Sequence, residues 1–163
     1  MGLTNPENEV FDGNIDLSET RKKRFRINGD NNLVLELNTS DMNTIVRLRD
    51  DYPKLMKLAN KVLNLKDKIE GETEQEELTR MANTIESIDT EMRELVNHIF
   101  DSKVCQVCAV DGSMYDLFNG KFRFEHIIEK LSELYGNNMK DEFKAVNARV
   151  KKHTAKYAKY SKK

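Results

Sequence analysis

Hydrophobic and polar positions along the chain follow two distinct rhythms, with one stretch that has none, and each rhythm predicts a different element. The first has a period of two. Phe25 and Ile27 alternate with Arg24, Arg26 and Asn28, and Leu33, Leu35 and Leu37 alternate with Val34 and Glu36. Between the two runs lies Asn28-Gly29-Asp30-Asn31-Asn32, a string of residues that tolerate positive φ. This predicts a β-hairpin over residues 22–38 with one apolar face. A lone hairpin is marginal in water, so that face has to pack on something else.

The second rhythm is helical. Ile45, Leu48, Tyr52, Leu55, Ala59 and Val62 recur at spacings of three and four, after a capping run Thr39-Ser40-Asp41. Pro53 falls inside this run, which predicts a short helix, a kink near Tyr52, then a longer helix to about residue 68. Asp50 or Asp51 is then placed to cap the second piece. After Gly71, Leu78, Met81, Ile85, Ile88, Met92, Leu95 and Ile99 follow in unbroken a/d spacing. The two stretches predict an antiparallel helical hairpin over residues 41–101.

The third segment, residues 102–122, has no period. Asp111-Gly112 and Asn119-Gly120 mark turns, and Tyr115, Phe118, Phe122 and Phe124 look like anchors of an ordered loop. Two helices follow over residues 123–150. Phe124, Ile127, Ile128, Leu131 and Leu134 line the first, which Gly136 should end. Asn138 should cap the second, with Met139, Phe143, Val146 and Val150 on its buried face. The fold class expected is mainly α with a small N-terminal β-hairpin. Residues 1–21 lack any apolar period and read as a flexible arm, and residues 151–163 read as a basic tail.

Composition sharpens this picture. Of 163 residues, 38% are apolar and 34% charged, so a small core under a highly charged surface is expected. No apolar run approaches the ~20 residues of a membrane helix. The polar, acidic start does not read as a signal peptide, so a cytoplasmic location with reduced cysteines is expected. The net charge of −1 hides a polarity: residues 144–163 carry eight Lys or Arg and no Asp or Glu. Residues 66–101 carry eleven acidic groups against four basic ones. Opposite blocks in one chain attract within or between molecules.

Candidate chemistry is sparse. Cys105 and Cys108 form a CxxC, which chelates zinc or exchanges thiols in other settings. Zinc needs four ligands, and His98 and His126 complete a set only as H-x6-C-x2-C-x17-H, which is no standard finger. Structural cysteines are the simpler reading. His98, His126 and His153 have no Ser, Cys or Asp at a triad signature, and Gly120-Lys121 lacks the glycines of a phosphate loop. No enzyme is expected, and no cofactor beyond the zinc alternative. In the tail, Lys151, Lys152, Lys156 and Lys159 interleave with Tyr157 and Tyr160. That pattern could grip phosphates and stack on bases, although the acidic remainder of the chain would repel nucleic acid.

The order of short motifs carries a resemblance. A basic FRING hairpin leads into LELNTSDM, a helical pair ends in MRELVNHIFDS, and a turn-rich loop carries LFNGKFRFEHIIEKL. Over residues 24–135 this resembles the tail assembly chaperones of tailed phages and prophages of Gram-positive bacteria. The resemblance implies a non-catalytic protein of the host cytoplasm, or one associated with the virion. Its partners would be the tape measure and tail tube proteins, and a homo-oligomer is compatible with it. It points to Phe100, Phe118, Asn119, Gly120 and Phe122 as an ordered loop. The helix starting near Phe124 would form part of the binding face.

Overall fold

The computed structural model describes residues 10, 12–17, 21–67 and 69–161. Within them the chain is mainly helical with a small N-terminal hairpin, as expected. The hairpin pairs β1 (Lys23–Ile27) with β2 (Asp30–Leu37), antiparallel, with Phe25 opposite Leu35. Asn28 and Gly29 both take positive φ (53° and 71°), the pairing that a tight two-residue turn of matching twist requires. Leu35 and Leu37 are fully buried, and Phe25 and Ile27 pack against the same core.

Helix α1 (Asn43–Leu63) starts where the Asp41 carboxylate accepts the Asn43 N–H at 3.0 Å. It runs as one helix through Pro53 and stops at Leu63, so the short and long helices expected on either side of Tyr52 are a single helix, and the extension to residue 68 is not realised. The missing N–H of a mid-helix proline costs about 3 kcal/mol in isolation. Here the seam continues past it, with Leu55, Leu58 and Ala59 buried against the next helix. Asp51 caps nothing; it is buried in the helix pair.

Helix α2 (Glu74–Phe100) is capped by Thr73, whose hydroxyl accepts from the Glu76 N–H at 3.2 Å. Glu74, Glu76 and Glu77 sit in its first turn, where the helix dipole favours anions. Its predicted seam is buried in the C-terminal half, at Ile88, Met92 and Ile99, whereas Leu78 near the start is 64% exposed. Arg47 donates to the Ile99 carbonyl at 2.9 Å and His98 meets Asp51, so α1 and α2 run antiparallel.

Beyond α2 come a short helix α3 (Val104–Cys108), a two-residue hairpin of β3 (Leu117–Phe118) and β4 (Lys121–Phe122), and α4 (Arg123–Ser161). Segment 102–122, expected as an ordered loop, therefore carries a short helix and a small hairpin. Helix α4 replaces the two helices expected over 123–150 and continues into the predicted tail. Gly136 does not adopt the left-handed conformation of a helix stop. An interior glycine costs only about 1 kcal/mol relative to alanine, too little to end a helix with good neighbours. Asn138 does not cap; it accepts from Lys23 at 2.7 Å and donates to Ser40 at 3.1 Å. Phe124, Ile128, Leu131 and Tyr135 are buried, but residues 140–152 are all exposed. The face of Phe143, Val146 and Val150, expected to be buried, is 42–51% exposed because the helix outruns the body.

Candidate protein-binding site

Two arginines build the region from the inside. Arg93 on α2 donates to the Asp89 carboxylate at 2.8 Å, to the Ala109 carbonyl at 2.9 Å and to the Gly112 carbonyl. Asp89 in turn accepts the Met114 N–H at 2.8 Å. Arg123, at the start of α4, donates to Asp111 at 2.5 Å and to the Cys108 carbonyl at 3.2 Å. The hydrogen bond from Arg123, reinforced by its charge, holds the Asp111 carboxyl below the usual range. A Cβ at Gly112 would lie 2.5 Å from the Arg123 guanidinium and against the Asp116 carboxylate, so a side chain there would displace these two flexible side-chain ends. Segment 102–122 is thus pinned to two helices by charge-assisted bonds, the stronger kind.

This scaffold presents the β3–β4 hairpin. Asn119 (φ 50°) and Gly120 (φ 73°) form its turn. Phe122 is buried and stacks on Phe124, with ring centres 5.7 Å apart. The Phe122 N–H is accepted by Glu125 at 2.7 Å, which ties the hairpin to the first turn of α4. On the other strand Leu117 and Phe118 are 66% and 67% exposed. His126 supports that strand, with its ring 5.6 Å from the Phe118 ring and Nε2 2.7 Å from the Phe118 carbonyl.

Two grooves flank the hairpin along α4. One, of about 610 Å³, is lined by Ile27, Cys108, Phe118, Ile127 and Leu131, with Arg26, Arg123 and Lys130 on its rim. The other, of about 740 Å³, lies between α1 and α4 over Ile45, Leu48, Tyr52, Pro53 and Ile128, with Lys121 and Glu129 paired at its edge (2.8 Å). Apolar floors with charged rims suit an amphipathic helix or an extended apolar segment.

No family model, curated protein or solved structure matches the chain. Its sites are therefore read from geometry alone.

The sequence candidates divide as follows. Phe118, Asn119 and Gly120 are exposed on the hairpin as a contact surface requires. Phe122 and Phe124, also expected to contact a partner, are buried and act as internal anchors. Phe100 likewise sits in the core, its ring 5.5 Å from that of Tyr135. The zinc set is not assembled: His98 bonds Asp51, His126 bonds Phe118, and among the described residues no group of three His, Cys, Asp or Glu could hold a metal. Cys105 is buried, with its thiol 3.6 Å from the Arg93 carbonyl, and burial pushes it up to about 12. Burial raises Cys108 too. Both are poor thiolates and behave as structural residues. Lys151, Lys152 and Lys156 are exposed on α4; the side chains of Tyr157, Lys159 and Tyr160 lie outside the described ones.

Sequence reasoning missed the pairing of buried Asp51 with His98, at 2.5 Å. The pair has the form of two members of a nucleophilic triad. The nearby nucleophiles are engaged elsewhere: the Ser102 hydroxyl donates to the Glu36 carbonyl at 2.5 Å and Cys105 points to Arg93. The missed Ile45 groove did carry a signal. Ile45 and Val46 are adjacent apolar residues near the start of α1, and they are 57% and 44% exposed.

Proposed function

We propose that this chain is a non-enzymatic binding protein that holds an apolar or amphipathic segment of another protein against the β3–β4 hairpin and the two grooves beside it. One observation carries the reading: Leu117 and Phe118 are two-thirds exposed on a segment that Arg93, Asp89 and Arg123 hold rigid. Large apolar side chains displayed on an ordered support mark a contact surface better than scattered exposed ones do. Among the described residues no helix is long and apolar enough to cross a membrane, so this surface is not explained by a bilayer span.

The motif resemblance narrows the proposed partner to the long helical tape measure protein of a phage tail, with tail tube subunits as secondary partners. The site of action would be the host cytoplasm during tail assembly. Burying the exposed part of Phe118 contributes about 1–2 kcal/mol. The test is co-expression with a tape measure fragment. The parent chain keeps the fragment soluble, and Phe118→Ala weakens the isolated complex by about tenfold. A fragment that precipitates equally with and without the parent chain refutes the proposal.

A second reading has an observation of its own. Lys151, Lys152 and Lys156 stand exposed on a continuous helix, a geometry that could follow a phosphate backbone. A gel shift at low salt that disappears on replacing these three lysines with glutamine would favour it.

A further inference from the structure

The two grooves beside the β3–β4 hairpin differ in charge. The groove over Ile45, Tyr52 and Ile128 is balanced, because Arg49 is bonded to Asp50 at 2.8 Å and Lys121 to Glu129 at 2.8 Å. The groove between the first hairpin and α4 is not. It is lined by three cations, Arg26, Arg123 and Lys130, and by one carboxylate, Asp116. Arg123 is already held by Asp111 at 2.5 Å and by Asp116 at 3.7 Å. Arg26 donates to the neutral Asn31 amide at 3.0 Å, and neither it nor Lys130 forms an ion pair among the described residues. Both are exposed, and they stand on different walls, Arg26 on β1 and Lys130 on α4. Ile27, Ile127 and Leu131 give the same groove an aliphatic floor.

We propose that this groove selects an amphipathic helix of a partner protein whose apolar stripe is bordered by Asp or Glu, the carboxylates meeting Arg26 on one wall and Lys130 on the other. The assignment rests on the contact-surface reading above and adds the partner's charge to it. The α4 wall indicates a helix. Arg123, His126, Ile127, Lys130 and Leu131 lie on one face over two turns, a ridge that packs along a second helix of similar length. The floor is aliphatic and matches Leu, Ile or Val better than the flat face of a base. At about 610 Å³ the groove takes a few side chains between its walls, as segment-binding clefts do, and not the plane of a bilayer. Charge then fixes the sign of the partner, because lysines on the same borders would be repelled by both unpaired cations.

The test titrates the full chain into three fluorescein-labelled helical peptides that share one Leu stripe at i, i+3, i+4 and i+7. The positions bordering the stripe are Glu in the first, Lys in the second and Gln in the third. Fluorescence anisotropy reads each affinity. At low salt the Glu peptide should bind about tenfold tighter than the Lys peptide, since two exposed contacts change from attraction to repulsion. At about 1 M salt, where screening sets in beyond about 3 Å, that ratio should shrink toward one. Arg26→Gln with Lys130→Gln should bring the two peptides within about twofold of each other, with helical circular dichroism unchanged because both side chains are exposed. Two results would each overturn the charge assignment: equal binding of the Glu and Lys peptides by the parent chain, or a preference that survives the double variant and is lost in Arg49→Gln. In either case the contact-surface reading stands if Phe118→Ala still weakens the Gln peptide. If none of the three peptides binds, that reading and this one fall together.

Discussion

Removing the His98 imidazole should cost more stability than removing the carboxylate it pairs with. Asp51 is 3% exposed and has two partners, His98 at 2.5 Å and Lys54 at 3.5 Å, whose side chains are 64% and 63% exposed. In His98→Ala the carboxylate stays buried and keeps only the more distant ammonium. Breaking a fully buried ion pair costs about 3–5 kcal/mol, and an exposed one about 0–1. One buried member with a surviving second partner places the loss at about 1–2 kcal/mol, or roughly 3–6 °C for a chain of this size. Asp51→Ala leaves no buried charge. The exposed imidazole returns to water and alanine improves the helix, so the loss is about 0.5 kcal/mol. The double variant should match Asp51→Ala, giving a coupling of about 1–2 kcal/mol between the two sites. Urea unfolding followed by circular dichroism at neutral pH measures all four proteins. If His98→Ala unfolds at the parent's midpoint, or Asp51→Ala is the worse variant, the carboxylate is not held by the imidazole and the argument fails.

Three further outcomes follow from the same geometry. Gly136→Ala should stabilise the chain by about 0.5–1 kcal/mol, because this glycine sits in an exposed helix turn with no neighbour within 4 Å and no positive φ; an unchanged urea midpoint would mean that the turn is not helical. Cys105 should resist alkylation in the native chain at pH 8 and react at the rate of unfolding, with Cys108 modified first; mass spectrometry of partly labelled protein showing equal labelling would contradict the burial. Stability should also fall in alkali. Burial pushes Cys105 from its ordinary 9.0 to about 12 and Tyr135 from 10.0 to about 12, so their contribution is complete below about pH 9 and is lost as pH rises toward 12. Melting temperatures measured from pH 8 to 11 should fall less steeply in Cys105→Ala; parallel curves would remove Cys105 from the account.

Local patterns were legible and distant pairings were not. The Asn28-Gly29 turn and the flanking alternation specify the first hairpin, because register and turn chemistry are short-range. The a/d spacing of α2 specifies a helix, but its burial depends on what covers it. At Leu95-Val96 and Ile99-Phe100 two adjacent apolar positions widen the stripe, a sign of a second covering layer that α3 and the hairpin strand supply. Pro53 and Gly136 misled for a common reason. Each is a local penalty of a few kcal/mol at most, and a continuing apolar face outweighs it. Asp51 and His98 lie 47 residues apart, and nothing in either neighbourhood specifies the other. The exposed part of the site, Phe118 to Gly120, was legible from its turn. The burial of Phe122 was not, since alternation by two cannot say which face of so short a hairpin is covered.

Helix α4 joins these threads, because the width of its apolar stripe changes along one uninterrupted rod. Through Tyr135 the apolar residues come as neighbours, Ile127 with Ile128 and Leu134 with Tyr135, a broad face packed on the core. From Met139 the stripe narrows to single residues at spacings of four and three, a seam suited to one covering segment. The charge changes sign at the same place, since no carboxylate follows Glu142. A helix that had merely outgrown its domain would gain nothing from keeping Phe143, Val146 and Val150 in phase with the buried half. Keeping that phase costs solubility, and the cost is offset when the seam is covered. The same helix therefore holds the body with its first sixteen residues. The rest runs past the body with Phe143, Val146 and Val150 about half exposed. That division predicts that substitutions of the buried α4 residues Phe124, Ile128 and Leu131 destabilise the protein, whereas substitutions of exposed positions after Asn138 leave the fold intact.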